Sequence, residues 1–527
     1  MKNKISIYDT TLRDGSQGEG VSFSALAKIS MAKRLDDFGI DYIEGGFPGS
    51  NPKDMQFFRD IRREELVHAK VVAFGSTRRM RTKVKDDPIV QGLLAAKTPV
   101  VTIFGKSWKL HVQDVLRTSL KENLAMVSDT VGYLKDMGKE VIFDAEHLFD
   151  GYKDDPEFAM NVLSAAAGAG ADFLALCDTN GGCLPHEIYE ITKTVTENFK
   201  VNVGIHAHND CGMADANSIE AVRAGAVQVQ GTINGYGERC GNANLTTIMP
   251  TLKLKLGAKC GGRRKLKNLC GLSQFTNDLI NMRQYPRAPY VGRSAFSHKG
   301  GAHVNAVQKN PATFEHIDPA KVGNERHILV SELSGGSNVL LKAIEMGLGK
   351  DSTSKEGCSR ILKELKSLEN KGYAFESADA SFKILVQKVL KKHKPFFELE
   401  GFRVTVEKAG KDAACVSEAT VKINVNGVEE HTVAEGDGPI NALDGALRKA
   451  LKGFYPEITN VHLADYRVRI LDPEEATAAT TRVQIESSDG KENWGTVGVS
   501  ENIIEASWEA LVDSVEYKLF REEKQKS

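Results

Sequence analysis

The sequence is short of net charge, of cysteine, of aromatic side chains and of long apolar runs, and most of these shortages remove a class of function. Its 527 residues carry 69 Lys and Arg against 70 Asp and Glu, a formal net charge of −1 at pH 7. A chain this balanced has no overall field to draw in a polyanion, which disfavours nucleic acid and acidic membrane surfaces as partners. No stretch approaches the roughly 20 consecutive apolar residues of a membrane span. The opening Met1-Lys2-Asn3-Lys4 leads straight into a strand pattern, without the apolar core of a signal peptide. Eight cysteines with no C-x-x-C spacing are too sparse for a disulfide scaffold, and they are expected to be reduced thiols of a cytoplasmic protein. Aromatic content is 7% and carries no functional signal by itself.

What is present is a rhythm. Short, β-branched apolar runs at 5–9, 42–46, 71–74, 100–104, 141–145, 173–177, 203–207 and 227–233 read as buried parallel strands. Helical patterns alternate with them, as at 25–38, 120–137, 156–169, 186–199 and 214–224. Eight strand–helix units in about 255 residues is the arithmetic of a (β/α)8 TIM barrel, in the α/β class. A doubly wound open sheet would place a Gly-rich phosphate turn after the first strand, and Thr10-Thr11-Leu12-Arg13-Asp14-Gly15 stands there instead.

A catalytic barrel over 1–270 is expected to lead into a helical linker over 271–395, with helices at 272–282, 336–346, 355–367 and 380–392. The basic stretch 259–267 reads as a solvated loop or helix start, and 285–337 as a long loop-rich arm of the kind that serves as a lid. The remainder, 396–527, holds a weak internal repeat. Strand, strand and helix at 419–425, 428–434 and 440–451 recur at 480–487, 491–499 and 503–519, and a further strand precedes each set, at 403–407 and 466–471. This predicts a small α+β domain. Its turns Ala434-Glu435-Gly436-Asp437-Gly438 and Gly498-Val499-Ser500 precede helix N-termini, where backbone N–H groups either hold a carboxylate or simply cap the helix.

A barrel places its chemistry at the C-terminal ends of its strands, so the polar residues there are the candidates. They are Arg13-Asp14-Gly15-Ser16-Gln17 after the first strand, Glu44 on the second and Asp144-Ala145-Glu146-His147 on the fifth. Asp178-Thr179-Asn180 ends the sixth, His206-Ala207-His208-Asn209-Asp210 the seventh, and Glu238-Arg239-Cys240-Gly241-Asn242 follows the eighth. So much charge at one rim of an apolar barrel is costly unless a ligand or metal satisfies it. His206 and His208, two apart on a strand, point to the same side and can chelate one cation opposite Asp14; structurally satisfied histidines are the alternative. The donor set suits Zn, Mn, Co or Mg, whereas Cys177 and Cys211 lack a paired spacing for a thiolate site. Arg13 either faces charge developing on a substrate oxygen or forms a plain ion pair. Glu146 either orients a water or substrate, assists proton transfer, or is simply the partner of Arg13.

Three separated segments carry a family resemblance: Tyr8-Asp9-Thr10-Thr11-Leu12-Arg13-Asp14-Gly15, His206-Ala207-His208-Asn209-Asp210, and Gly235-Tyr236-Gly237-Glu238-Arg239-Cys240-Gly241-Asn242-Ala243-Asn244. They resemble the signatures of the 2-isopropylmalate synthase and homocitrate synthase family, metal-dependent enzymes that perform a Claisen condensation with acetyl-CoA on a TIM barrel. The likeness runs through the linker to a C-terminal regulatory domain and covers essentially the whole chain. Segments 18–24, 44–52 and 102–112 have the wording of the branch that takes pyruvate, and Ser16-Gln17 stands where leucine-pathway members usually carry Glu-Gln.

The resemblance implies a divalent metal held by Asp14, His206, His208 and Asn242. It implies that Arg13 stabilises the ketone oxygen as it becomes an alkoxide, that Glu146 hydrogen-bonds nearby, and that Thr179 helps to hold the 2-oxo acid carboxylate. His303, in Ser297-His298-Lys299-Gly300-Gly301-Ala302-His303-Val304-Asn305-Ala306, matches the linker histidine that helps to enolise acetyl-CoA, although Val304-Asn305 departs from the usual Gln-Asp. A family tyrosine has no matched position in Gly323-Asn324-Glu325-Arg326-His327. Phe74, Phe104 and Leu110 are candidate walls for a methyl-sized pocket, or ordinary barrel core. The implied activity is condensation of acetyl-CoA with pyruvate and hydrolysis to citramalate and CoA, in isoleucine biosynthesis. The implied enzyme is a homodimer whose linker histidine comes from the partner subunit and whose C-terminal domain senses isoleucine, or leucine. The alternatives are a family member taking a larger 2-oxo acid, a metal-dependent acyl-CoA lyase or aldolase, and a barrel retained as a binding protein.

Overall fold

Alternation along each strand builds the barrel in this computed structural model, which describes residues 4–260, 266–329, 336–345 and 353–526. β1 (Lys4–Asp9), β2 (Tyr42–Gly46), β3 (Lys70–Ser76), β4 (Val100–Lys106), β5 (Glu140–Glu146), β6 (Phe173–Asp178), β7 (Asn202–Ala207) and β8 (Gln228–Gly231) pair in parallel and in order. β1 pairs with both β8 and β2, which closes the sheet into the expected TIM barrel. Outward residues such as Ile7, Ile43, Val101, Phe143, Leu174 and Ile205 pack against the surrounding helices in one core. Each such side chain contributes about 1.5–3 kcal/mol on burial. Inward residues Tyr8, Tyr42, Val72, Val100, Ile142 and Phe173 form an apolar floor. Above that floor the inward positions turn polar, with Glu44, Thr102, Asp144, His206, Gln228 and Gln230 all buried. This polar layer is what the floor supports and the strand ends present.

The chain divides into two compact units, Met1–Phe296 with Ile317–Glu325, and Ser297–His316 with Arg326–Ser527. In the first, the stretch expected to be a loop or helix start at 259–267 begins instead as a short strand, Lys259–Cys260, parallel to Lys4 and Ile5; residues 261–265 lie outside the described residues. In the second unit, part of the expected loop-rich arm is ordered as the helix Gly301–Lys309 and the paired strands Ser297–His298 and His327–Ile328. The helices Gly336–Glu345, Lys355–Asn370 and Asp379–Val389 follow, and Met346, the expected end of the first of them, lies outside the described residues.

The repeat takes the form of two three-stranded antiparallel sheets, each followed by a helix. Glu398–Lys408, Cys415–Val425 and Val428–Gly436 precede Pro439–Leu451, and His462–Ile470, Thr481–Ser488 and Asn493–Ser500 precede Ile503–Lys526. The first strand of each sheet shifts register at the same place, Leu399/Gly401 in one and Leu463/Asp465 in the other. Both turns before the helices are occupied by capping. Asn441 Oδ1 accepts from the Asp437 N–H at 3.2 Å, and Ser500 Oγ accepts from the Asn502 N–H at 3.0 Å. Among the described residues no helix is long and apolar enough to cross a membrane. All eight cysteines are free thiols.

The end of β8 is laid against the returning segment that carries Asn242. The Thr232 N–H donates to Ala243 O at 3.0 Å, and the Ala243 N–H donates to Ala207 O at 2.9 Å. A Cβ on Gly231 would collide with that Ala243 carbonyl oxygen. Gly231→Ala is therefore expected to cost about 1–3 kcal/mol and to displace Asn242 from the mouth. Calorimetry and metal titration test this; an unchanged thermal midpoint with unchanged metal affinity contradicts it.

Candidate active site

Asp14, His206 and His208 converge where β1 and β7 end. His206 Nε2 lies 3.1 Å from Asp14 Oδ2, His208 Nε2 lies 3.9 Å from the same oxygen, and the two Nε2 atoms are 3.4 Å apart. Among the described residues, these three form the one group of His, Cys, Asp or Glu side chains whose ligand atoms all lie within 4.8 Å of one another. Two imidazole nitrogens turned toward each other and toward one carboxylate oxygen are an arrangement that a shared cation satisfies. Asn242 is delivered by an antiparallel bridge to His208. Its Nδ2 donates to Asp14 Oδ2 at 2.9 Å, while its buried Oδ1 has no partner. That orphaned carbonyl oxygen beside Asp14 fits a fourth ligand, since amide orientation is assigned from the network around it.

The supporting layer sets the protonation of this group. Gln230 Oε1 accepts from His206 Nδ1 at 2.9 Å, which turns Nε2 toward Asp14, and Gln230 Nε2 donates to Asp144 Oδ1 at 3.0 Å. Burial works to raise the Asp14 carboxyl, but Arg13 and His206 outweigh it and hold it well below the usual carboxylate range. Burial lowers both imidazoles; with His206 beside it, His208 falls to about 4, whereas at His206 the Asp14 carboxylate outweighs burial and raises it. Burial pushes Asp144 up to about 7.

Arg13 is clamped from two sides. Nη1 lies 3.0 Å from Asp14 Oδ1, Nε donates to Glu44 Oε1 at 2.5 Å, and the guanidinium carbon sits 3.8 Å from the centre of the Phe74 ring. Glu44 is 0% exposed and also accepts from the Tyr8 hydroxyl. Burial opposes the charge on Arg13, and Asp14 and Glu44 more than restore it. The ion-pair partners of Arg13 are thus Asp14 and Glu44 and not Glu146, which pairs with Lys106.

Arg13, Asp14, Glu146 and Thr179 line a cavity of about 470 Å³ at the mouth. Phe74 and Phe104 form one wall, their rings stacked 5.5 Å apart, with Phe47 edge-on to Phe74. Leu110, expected beside them, is 44% exposed and lies off this wall. Thr179 Oγ1 accepts from the His147 N–H at 2.9 Å. Cys177 also borders the cavity, but no thiol belongs to the metal group, and Cys211 is exposed. His303 belongs to the second unit, exposed on the helix Gly301–Lys309, with its ring stacked on Phe314 at 4.2 Å. Two contributors escaped sequence reasoning: Glu44, placed at the rim without a role, and Gln230. The signal for Gln230 was the polar pair Gln228 and Gln230 alternating at the end of an otherwise apolar strand.

Residues 4–275 match the HMGL-like family. The chain belongs to that family. Residues 290–373 match the homocitrate synthase post-HMGL domain-like region, and 376–519 the LeuA allosteric (dimerisation) domain. The chain is 56% identical to the (R)-citramalate synthase of Aquifex aeolicus, over 100% of this chain and 99% of that protein. It is 52% identical to the (R)-citramalate synthase of Geobacter sulfurreducens, over 98% of each. Identity falls to 32%, again over 98% of each, for a probable 2-isopropylmalate synthase of Methanopyrus kandleri.

For this HMGL-like barrel, Gln230→Met removes the group that orients His206 and is expected to weaken divalent-metal affinity about 10–100-fold. Competition with a fluorescent chelator reads this directly, and an unchanged affinity contradicts the orienting role.

Proposed function

We propose that the mouth of this barrel condenses acetyl-CoA with pyruvate and hydrolyses the product to citramalate and CoA, the activity of an (R)-citramalate synthase. The likeness to curated (R)-citramalate synthases along the full chain carries this reading. The convergence of Arg13, Asp14, His206, His208 and Asn242 at one rim supports it. Asp14, His206, His208 and Asn242 would hold a divalent cation, Zn, Mn, Co or Mg, which when bound polarises the ketone of the 2-oxo acid.

The residues themselves then have distinct tasks. Arg13 donates to the ketone oxygen as it becomes an alkoxide, and because Glu44 and Asp14 already fix the guanidinium, no reorganisation is needed at that moment. Thr179 has an oxygen lone pair committed to the His147 N–H and keeps its proton to donate to the substrate carboxylate. Phe74 and Phe104, stacked in the cavity wall, would set the size of the slot for the 2-oxo acid side chain. His303 helps to remove a proton from the acetyl-CoA methyl group; the resulting carbanion attacks the ketone carbon, and water then cleaves the thioester. Glu146 hydrogen-bonds beside the reacting groups, within reach of that water.

In this reading the chain is a catalytic barrel over 1–270, a linker over 271–395 and a regulatory part over 396–527. The enzyme is a cytoplasmic homodimer in which His303 is supplied across the subunit boundary. The C-terminal part senses a branched-chain amino acid of the isoleucine pathway, isoleucine before leucine. The match of 376–519 to the LeuA allosteric (dimerisation) domain supports both the dimer and the sensing role.

Parallel assays with pyruvate, 2-oxobutyrate and 2-oxoisovalerate test the substrate assignment. Pyruvate is expected to lead 2-oxoisovalerate in kcat/KM by about 10–200-fold or more, since each added methylene is crowded; preference for 2-oxoisovalerate overturns it. Arg13→Gln is expected to lower kcat about 100–1,000-fold with metal content retained, as for loss of one preorganised donor to an oxyanion. Retained turnover removes Arg13 from the chemistry.

A further inference from the structure

His147 follows Glu146 at the end of β5, and its backbone is left-handed, with φ 56° and ψ 33°. A bulky non-glycine residue in that region is strained by about 1–3 kcal/mol and persists only where its surroundings over-determine it. Here they do. His147 Nδ1 lies 3.1 Å from Asp150 Oδ2, and its ring sits 4.2 Å from that of His111, which is itself stacked on Trp108 at 5.4 Å. Trp108 is anchored in turn by its Nε1–H to Asp154 Oδ2 at 3.1 Å. His111 opens the π-helical turn His111–Val115, a form that concentrates at functional sites.

The strained turn has one outcome at the cavity: it aims the His147 N–H at Thr179 Oγ1, 2.9 Å away. The same Asp150 oxygen that holds His147 accepts from Asn180 Nδ2 at 3.0 Å, next to Thr179. On the other side, Arg239 Nη2 donates to Thr179 O at 2.8 Å. The loops after β4, β5 and β6 are thus tied through His147 and Asp150. A threonine hydroxyl has one proton and two lone pairs, so an oxygen that accepts an N–H through one lone pair still has its proton to donate.

We propose that His147 is a positioning residue for the substrate carboxylate. Its ring and Asp150 hold the left-handed turn, and the turn makes the Thr179 hydroxyl a fixed donor into the cavity. This rests on the reading of Thr179 as the group that holds the 2-oxo acid. His147→Gly tests it, because glycine keeps the left-handed backbone accessible while deleting the ring. The readout is steady-state kinetics of the metal-loaded, full-length enzyme.

The pyruvate KM is expected to rise about 10–100-fold, the range for a hydrogen bond to a charged group, with kcat changed under about threefold and the acetyl-CoA KM unchanged. Asp150→Ala, which cuts the tie from its other end, is expected to move the same constant. His147→Asn, which tolerates the left-handed region and can still reach Asp150, is expected to restore much of it. In a Thr179→Val background, itself raised in pyruvate KM, His147→Gly is expected to add nothing further. An unchanged pyruvate KM in both His147→Gly and Asp150→Ala, with Thr179→Val raised, overturns the proposal and leaves the Thr179 reading intact. If Thr179→Val is also unchanged, the Thr179 reading fails and this proposal fails with it. Equal losses in kcat and in both Michaelis constants mark a purely structural role and also overturn it.

Discussion

The Asp14 carboxylate is the group around which the rest of the mouth is arranged. One of its oxygens faces Arg13, and the other faces both histidines and Asn242. An ionised carboxylate this deeply buried costs several kcal/mol in lost hydration, and only surrounding charge and hydrogen bonds can offset that. Arg13, Asp14 and Glu44 together leave one buried negative charge uncompensated. A divalent cation would turn that deficit into one positive charge, which an incoming 2-oxo acid anion would then cancel. Against the effect of burial, the same negative charge raises His206, whose imidazole faces Asp14 Oδ2. This local economy is invisible in a chain whose formal charge is −1 overall.

The scaffold supports this by keeping two chemistries apart on the same strands. Outward positions are mostly apolar and pack on the helices, with Asp9 and Asp178 as buried exceptions at the ends of β1 and β6, while inward positions change from an apolar floor to a polar layer within a residue pair. On β5, Val141, Phe143 and Ala145 face the helices while Ile142, Asp144 and Glu146 climb from floor to rim. The period-two geometry of a strand thus delivers core and site from a single segment.

That period also explains which parts were legible beforehand. The eight strands and the His206–His208 pair follow from alternation along one segment, so local reading found them. Glu44 and Gln230 act through neighbours on other strands, Arg13 beyond β1 and His206 on β7, and only the register His206↔Gln230 reveals the second pairing. Leu110 was misplaced because the chain after β4 turns away from the strand direction, and the π-helical turn begins at the next residue. The helix Gly301–Lys309 was hidden by Gly300-Gly301 at its start, which reads as loop. Of the two readings of the turns before the C-terminal helices, capping is the one observed, since Asn441 and Ser500 satisfy backbone N–H groups there.

The central claim is that two imidazoles and the Asp14 carboxylate share one cation. Electron spin echo spectroscopy of the Mn(II)-loaded protein tests this most directly, because it counts nitrogen nuclei bound to the metal. The account predicts couplings from two imidazole nitrogens in the native protein and from one in His208→Ala. A spectrum without imidazole coupling, or one that His208→Ala leaves unaltered, contradicts it.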